Sequence, residues 1–183
     1  MQHMTCAWER VGTLPPGAIV DVAASPDFAH DVTLFAATMA GLYQSWDGAR
    51  SWRRVGTRFE RRALTAVALS PDFAGDGLLL AASLDGGLFR TLRGGDMWLQ
   101  GAFEDRRVQG IAVVISPDFP RDGVAFVATM SDGVFRSHDR GARWEVCNLG
   151  LLDLNVLALA ISPSFAEDET IFAATSNCLD RAS

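Results

Sequence analysis

Apolar and polar positions follow one another along the chain in short runs, separated by turns rich in glycine, proline, aspartate and serine. Runs that are apolar on both faces, such as "AIVDVAAS" at 18–25 and "ALTAVALS" at 63–70, predict strands buried between neighbouring layers. A second apolar run follows each of them after a turn, for example "VTLFAAT" at 32–38. No window shows the 3.6-residue period of a helix, so the pattern predicts an all-β protein.

The turn Ser-Pro-Asp-Phe recurs along the chain at an almost constant interval. It occupies 25–28, 70–73 and 116–119, and a fourth version at 162–165 has serine in place of the aspartate. Each interval holds four short predicted strands, and a repeated four-stranded antiparallel unit is typical of the blade of a β-propeller. One small sheet cannot bury both of its faces, whereas blades stacked around an axis cover one another. We therefore predict a β-propeller with about four blades in this chain.

A second turn is repeated between the predicted third and fourth strands of a blade. Its copies are "SWDGARSW" at 45–52, "TLRGGDMW" at 91–98 and "SHDRGARW" at 137–144. In the third copy the aspartate can accept hydrogen bonds from N–H groups of its own turn, and the glycine permits a positive φ. This repeat resembles the Asp-box, or bacterial neuraminidase (BNR) repeat, with the pattern Ser-x-Asp-x-Gly-x-Thr-Trp. The matching residues are Ser45, Asp47, Trp52, Thr91, Gly95, Trp98, Ser137, Asp139, Gly141 and Trp144.

The chain departs from the Asp-box pattern in two copies, because Ala49 stands where glycine is expected and Arg93 replaces the aspartate. The resemblance covers nearly the whole chain and implies a sialidase-like, WD40/YVTN/BNR-like β-propeller. Such proteins include sialidases, other glycoside hydrolases, sortilin-like receptors and photosystem assembly factors, and in all of them the box is a structural turn far from the chemistry. Function must therefore be argued from other residues.

We predict a single propeller domain, or half of one, over residues 1–183. The predicted blades cover about 18–57, 63–103, 108–149 and 155–183, and the last one is incomplete. The segment "WERVG" at 8–12 copies "WRRVG" at 52–56, and it predicts a lone outer strand of the kind that ends a blade. This strand can complete the last blade, whose third strand would be "NCLDRAS" at 177–183.

Three assemblies are open at this stage. Pairing of 8–12 with 177–183 inside one chain would close a four-bladed ring, whereas pairing between two chains would give an eight-bladed ring with two-fold symmetry. In the third case the chain is a fragment whose last blade stays uncovered. We expect a homodimer, because Asp-box propellers usually have six or more blades.

Charge and composition exclude several partners. The formal net charge of −6 offers no broad basic surface, so we expect neither nucleic acid nor membrane as a partner. No signal peptide is recognisable, and no stretch approaches the roughly 18 apolar residues of a membrane helix, so we expect a cytoplasmic protein. Cys6, Cys147 and Cys178 are odd in number and widely spaced, which suits reduced, mostly buried thiols. The three histidines lack a partner at metal-ligand spacing, so we expect no metal and no cofactor.

Few residues suit catalysis. Sialidase chemistry needs a tyrosine nucleophile, but the only tyrosine, Tyr43, occupies the position of Phe89 and Phe135 and is predicted to lie in the core. Another glycosidase would need two carboxylates about 5–9.5 Å apart. Most aspartates recur in every blade, which is typical of turn support. Asp21 is the one polar residue at a strand position that holds alanine in the other repeats, and it is a candidate for facing the central channel. No catalytic residue is predicted.

The loops between blades differ most from repeat to repeat, with "GTRFERR" at 56–62 and "GAFEDRR" at 101–107. Arginine, acid and aromatic residues together suit contact with a protein or an acidic ligand. The alternative is that acids and arginines pair with one another on a solvated rim. The candidate binding residues are Arg58, Arg61, Arg62, Asp105, Arg106 and Arg107, together with Asp21.

The sequence therefore predicts a non-catalytic β-propeller scaffold or binding module that self-assembles through its incomplete last blade. The alternative function is a carbohydrate-active or sialidase-like glycoside hydrolase, including a degenerate one. Whether the protein is an enzyme stays open, and the non-catalytic role is favoured.

Overall fold

The computed structural model describes residues 8–56, 59, 62–92, 94–104 and 107–183. The chain forms antiparallel β-sheets that follow one another in sequence order, and each sheet is a blade of a β-propeller. Within the described residues blades 1, 2 and 3 have four strands each, and blade 4 has three. The predicted all-β propeller fold with four blades is confirmed.

Strands that are adjacent in sequence are adjacent in each sheet, so every blade is a meander. Blade 1 contains β1 (Ile19–Ala24), β2 (Leu34–Thr38), β3 (Gly41–Ser45) and β4 (Arg53–Arg54). Blade 2 contains β5 (Leu64–Leu69), β6 (Leu79–Ser83), β7 (Leu88–Thr91) and β8 (Trp98–Gln100). Blade 3 contains β9 (Gly110–Ile115), β10 (Ala125–Thr129), β11 (Val134–Ser137) and β12 (Glu145–Val146). Blade 4 contains β13 (Val156–Ile161), β14 (Ile171–Thr175) and β15 (Leu179–Ala182).

The first strand of every blade carries a β-bulge at the same place. One residue there falls out of register with the second strand, and the four residues are Val20, Thr65, Ile111 and Leu157. A bulge increases the local twist of a strand and redirects its side chains. The first strands also lie innermost, since β1 packs against β5, β5 against β9 and β9 against β13.

Each Ser-Pro-x-Phe turn contains one turn of α-helix, which the sequence pattern did not predict. The helices are α1 (Phe28–Asp31), α2 (Phe73–Asp76), α3 (Phe119–Asp122) and α4 (Phe165–Asp168). A helix of four residues is too short to show a 3.6-residue period in the sequence. Among the described residues, no helix has the length and hydrophobicity to cross a lipid bilayer.

A hydrogen-bonded clip holds each of these turns. In blade 2 the hydroxyl of Ser70 donates to Oδ2 of Asp76 at 2.7 Å, and Oδ1 of Asp76 accepts from the N–H of Leu78 at 2.8 Å. The same two bonds recur in the other three blades. The aspartates that end these helices therefore support the turns.

Aromatic side chains join one blade to the next in the core. The Phe73 ring, at the start of α2, meets the Phe35 ring of blade 1 edge-to-face, with centroids 5.5 Å apart. The Phe165 ring meets the Phe126 ring of blade 3 in the same way at 5.7 Å. Tyr43 is 4% exposed and belongs to this core. Apolar side chains are therefore buried between successive blades, whereas a β-sandwich buries them in one core between two sheets.

The two end blades keep exposed faces. Val22 of β1 is 51% exposed, whereas Val67 and Val113, at the same place in β5 and β9, are 5% and 8% exposed. In blade 4, Leu157 and Leu179 are also largely exposed. The single chain is therefore an open arc of blades.

Residues 8–12, predicted as a lone outer strand, do not form a strand within the single chain. A segment becomes a strand only when it pairs with the open edge of a sheet. This segment instead leads to the first box, where the N–H of Thr13 lies 3.4 Å from the carbonyl oxygen of Arg50. The outer edge of β15 carries no fourth strand in the described residues. The pairing of these two segments is thus not made inside one chain.

Candidate functional site

A polar cavity of about 200 Å³ lies on the loop-bearing face of blade 2. Its walls come from the residues before β5 and β9, the turn between β6 and β7, and the end of β8 with the segment that follows it. The lining residues are Arg62, Asp85, Gly86, Gly87, Gln100, Gly101, Phe103 and Arg107. Two predicted binding residues, Arg62 and Arg107, therefore line one cavity although they precede different blades.

Four other predicted binding residues fall outside the described residues. They are Arg58, Arg61, Asp105 and Arg106. Arg93 of the second box and Cys6 also lie outside them.

Arg62 is positioned by contacts with two phenylalanines. Its backbone N–H donates to the carbonyl oxygen of Phe59 at 3.1 Å, and its Cζ lies 5.3 Å from the centroid of the Phe89 ring. An arginine over an aromatic ring keeps its N–H groups at the edge of the guanidinium, where they can bind an anion. Arg62 is half-buried and Arg107 is exposed, so one arginine is held by packing and the other reaches from the rim.

Glycine is required at the turn that forms the opposite wall. Gly86 and Gly87 have φ values of +94° and +111°, and the N–H of Gly87 donates to the carbonyl oxygen of Val108 at 2.8 Å. A Cβ at residue 87 would lie 2.9 Å from Nε2 of Gln100. The glycine therefore leaves room for an amide at the cavity wall.

The cavity carries more positive than negative charge. Its lining holds two guanidinium groups and one carboxylate, that of Asp85. Within the described residues the ion pairs are His30–Asp27 and Arg121–Asp118, so neither cavity arginine pairs with a described carboxylate. Such a site suits a carboxylate or phosphate group. A glycosidase needs two carboxylates, and the lining supplies one.

Asp21 does not line this cavity. Its Oδ2 accepts a hydrogen bond from the N–H of Val67 at 2.8 Å, and its Oδ1 accepts one from the N–H of Val22 at 2.9 Å. Both carboxylate oxygens are thus bound by backbone groups of blades 1 and 2. Asp21 therefore links β1 and β5, the innermost strands of blades 1 and 2.

The boxes lie at the opposite end of the strands from the cavity, between the third and fourth strands. In the third box, Oδ1 of Asp139 accepts hydrogen bonds from the Ser137 hydroxyl at 3.0 Å and from the N–H groups of Ala142 and Arg143 at 2.9 and 2.8 Å. Burial raises the pKa of Asp139, but the hydrogen bonds from Arg143, Ser137 and Ala142 outweigh it and the net pKa is lowered. Oδ1 of Asp139 therefore supports its own turn.

The first box is built in the same way around Asp47. The Ser51 hydroxyl donates to Oδ2 at 2.6 Å, while the Ser51 N–H and the Ser45 hydroxyl donate to Oδ1 at 2.9 and 2.8 Å. These bonds lower the pKa of Asp47 to about 2, with the Ser51 hydroxyl as the largest cause. In the second box, which lacks the aspartate, Oγ1 of Thr91 accepts from the N–H of Gly95 at 3.1 Å.

Two box tryptophans close the base of their blades. The indole N–H of Trp98 donates to the carbonyl oxygen of Gly95 at 2.7 Å, and that of Trp144 donates to Gly141 at 3.1 Å. Both rings are buried, whereas Trp52 is half-buried. In the described residues, the box aspartates and the two buried tryptophans therefore support their own turns.

Two polar cavity residues, Asp85 and Gln100, are absent from the binding residues predicted from the sequence. Asp85 belongs to the turn "LDGG" at 84–87, whose paired glycines signal a close approach of another chain segment. Gln100 shows no sequence signal, because an exposed position on a fourth strand looks like any solvated residue.

No metal centre is present in the described part of the chain, where no group of three or more His, Cys, Asp or Glu side chains could hold an ion. Cys147 and Cys178 are free thiols, but Cys147 is only half-buried and Cys178 is exposed, so the prediction of buried thiols is wrong for the two described cysteines.

No protein-family model matches the sequence, and no curated protein does. Solved structures match it in fold. An ancestral GH74 enzyme has a TM-score of 0.68 at 17% identity, over 96% of this chain and 27% of that one. YCF48 bound to a D1 peptide has a TM-score of 0.63 at 16% identity, over 91% and 52% of the two chains. The computationally designed Ika4 protein has a TM-score of 0.69 at 12% identity, over 96% and 98%.

The chain thus spans about a quarter of the length of the GH74 enzyme, about half of YCF48 and nearly all of the designed protein. The neighbours include a glycoside hydrolase and a protein bound to a peptide, so they do not select one activity. At these identities the likeness concerns architecture alone. The chain has the fold of β-propeller proteins built from four-stranded blades.

Proposed function

We propose that the protein is a non-catalytic β-propeller module that binds an acidic segment of another protein at the cavity between Arg62 and Arg107. The proposal includes self-assembly through the incomplete last blade. The observation that carries the binding role is the presence of two arginines at one polar cavity with no described carboxylate paired to either.

The chemistry of the lining favours an anionic partner. Guanidinium groups bind carboxylates through two parallel N–H···O bonds, and a hydrogen bond to a charged group contributes roughly 1.5–3 kcal/mol. The backbone turn at Gly86 and Gly87 and the amide of Gln100 add neutral polar groups beside these charges. An extended acidic peptide can place one carboxylate at each arginine.

The alternative function, a glycoside hydrolase, is raised by the GH74 neighbour. It requires a second carboxylate facing Asp85, and the described cavity lining lacks one. The two functions differ in a simple readout, because only the hydrolase releases product from a glycan.

The test is a titration of the protein with a synthetic peptide of alternating glutamate and glycine, followed by calorimetry at low and moderate salt. We expect binding that weakens with salt and falls at least about tenfold in the double variant Arg62→Gln/Arg107→Gln. Arg121→Gln is the matched control, because Arg121 is an exposed arginine in a Ser-Pro-Asp-Phe turn at the other end of the blades.

Equal binding by the double variant and the control would overturn the cavity assignment, and so would the absence of binding. Release of reducing sugar from a glycan by the wild-type protein would instead support the hydrolase.

A further inference from the structure

We infer that a second copy of this chain completes blade 4, with its residues 8–12 along β15, its Trp8 in the pocket at the base of that blade and its Phe28 against Phe172. This inference rests on the self-assembly part of the proposed function and does not depend on the acidic-ligand cavity.

The contacts between neighbouring blades inside the chain show the geometry that we expect between two copies. At two junctions between blades, the phenylalanine of a Ser-Pro-x-Phe turn packs on the second strand of the preceding blade: Phe73 packs on Phe35, and Phe165 on Phe126. The interplanar angles, 82° and 80°, are alike, so the contact is a repeated edge-to-face pair. All four rings are at most 9% exposed.

Each end of the arc holds one half of this pair. Within the described residues no blade precedes Phe28, which lies in the first such turn, and no blade follows Phe172 of β14, which stands at the place of Phe35 and Phe126. Phe28 and Phe172 are each 37% exposed. The two exposed rings are therefore complementary by the same geometry that joins the internal blades.

An arginine strengthens the match on blade 4. The Cζ of Arg136 lies 5.4 Å from the ring centroid of Phe126 and 5.9 Å from that of Phe165, so it covers the pair between blades 3 and 4. Arg181 pairs with Phe172 across the strands as Arg136 pairs with Phe126. It is placed to cover Phe172 and the Phe28 of a second copy.

The segment before blade 1 already follows the path of a strand from a preceding blade. The N–H of Ala102, just after blade 2, donates to the carbonyl oxygen of Ala142 in the box of blade 3 at 2.8 Å. Thr13 stands in the same relation to Arg50 in the box of blade 1. Residues 8–12 thus approach the first box as the end of a preceding blade would, and the described residues form no blade there.

A buried tryptophan fills the base of blade 3. A Cβ on Gly101 would lie 2.6 Å from Nε1 of Trp144, and the Phe103 ring stacks on the Trp144 ring with centroids 5.7 Å apart. The Phe103 ring also meets the Phe135 ring at 5.3 Å. Gly101, Phe103 and Phe135 therefore define the surroundings of a box tryptophan.

Blade 4 has a pocket of about 90 Å³ in this position. Its lining includes Cys147, Leu149 and Asp180, which hold the repeat positions of Gly101, Phe103 and Phe135. Trp8 begins the segment that copies residues 52–56, and it is 97% exposed. Trp8 therefore has the sequence position of a box tryptophan but no buried site in its own chain, and the pocket in blade 4 of a second copy is the equivalent site.

A second copy is the occupant because one chain carries both halves of the contact. Trp8 and Phe28 lie at the start of the arc, while the pocket and Phe172 lie at its end, so two copies related by a two-fold axis satisfy both contacts at once. The product is a ring of eight blades, and its two interfaces cover the apolar end faces.

The test begins with the mass of the wild-type protein by light scattering at micromolar concentration. We expect a value near twice 19.7 kDa. Phe28→Arg and Phe172→Arg should each give single chains, because either change damages both interfaces of the ring. Trp8→Ala should raise the dimer dissociation constant at least about tenfold. Met130→Arg is the control, since Met130 is an exposed apolar residue in the turn between β10 and β11 and outside both end faces.

Mixing separates interface loss from misfolding. An equimolar mixture of the Phe28→Arg and Phe172→Arg chains retains one unaltered interface, so dimers should return. A mixture that stays at 19.7 kDa would overturn the pairing, as would a monomeric wild type. Masses well above the dimer would overturn the closed ring. Acidic-peptide binding, measured on the Phe28→Arg chain, tests the cavity independently.

Discussion

The carboxylate of Asp21 on β1 accepts a 2.8 Å hydrogen bond from the backbone N–H of Val67 on β5, and it thereby joins the innermost strands of blades 1 and 2. Blades 2 and 3 are joined in a related way, because the hydroxyl of Thr65 donates to the carbonyl oxygen of Gly110 at 2.6 Å. Polar clips near the axis therefore supplement the apolar packing between blades.

We predict that Asp21→Ala lowers the free energy of unfolding by roughly 1–3 kcal/mol, because the N–H of Val67 loses its acceptor. Asp21→Asn keeps a carbonyl oxygen at the same place and should recover most of this loss. Urea denaturation followed by circular dichroism measures both. An Asn variant as unstable as the Ala variant would show that the charge, and not the acceptor, matters.

We predict a large loss for Trp144→Ala, roughly 3–5 kcal/mol, because a fully buried ring and its hydrogen bond to Gly141 are removed together. Trp52→Ala should cost clearly less, since Trp52 is half-buried in an end blade. Chemical denaturation of the two variants makes the comparison. Equal losses would mean that the boxes contribute alike regardless of burial.

The turn clips offer a third comparison. Ser116 is fully buried and bonds to Asp122, whereas Ser162 makes the same bond to Asp168 at a more exposed site in blade 4. Ser116→Ala should cost roughly 1–3 kcal/mol, because it leaves a part-buried carboxylate oxygen of Asp122 without its donor. Ser162→Ala should cost less, since water can replace the hydroxyl. Thermal melts of the two variants check the order.

The pKa of Asp47 gives a prediction for acid. Hydrogen bonds from Ser51 and Ser45 lower it to about 2 in the folded chain, below its value in the unfolded chain, so the unfolded state binds more protons in between. The stability that these bonds provide is present above pH ~4 and is lost as the pH falls toward 2. Asp47→Asn should flatten this part of the stability curve, measured by urea midpoints from pH 5 to 2. An unchanged slope would assign the acid dependence to other carboxylates.

The sequence predicted the fold because each blade is specified by residues that lie close together in the sequence. Proline and aspartate in the Ser-Pro-Asp-Phe turns and tryptophan at the start of the fourth strand mark each blade wherever it occurs. The same local logic placed Tyr43 in the core, by its equivalence to Phe89 and Phe135. The one-turn helices escaped prediction, because four residues carry no helical period.

The sequence by itself determined the number of blades, their order and the positions of their turns, since these depend on neighbours a few residues apart. Only the tertiary structure decided which distant residues meet. Arg62 and Arg107 share a cavity with Asp85 and Gln100 because stacking brings the loops of adjacent blades together, and no local pattern encodes that distance. The open arc is likewise tertiary: whether the first and last blades touch depends on the summed twist of every blade between them.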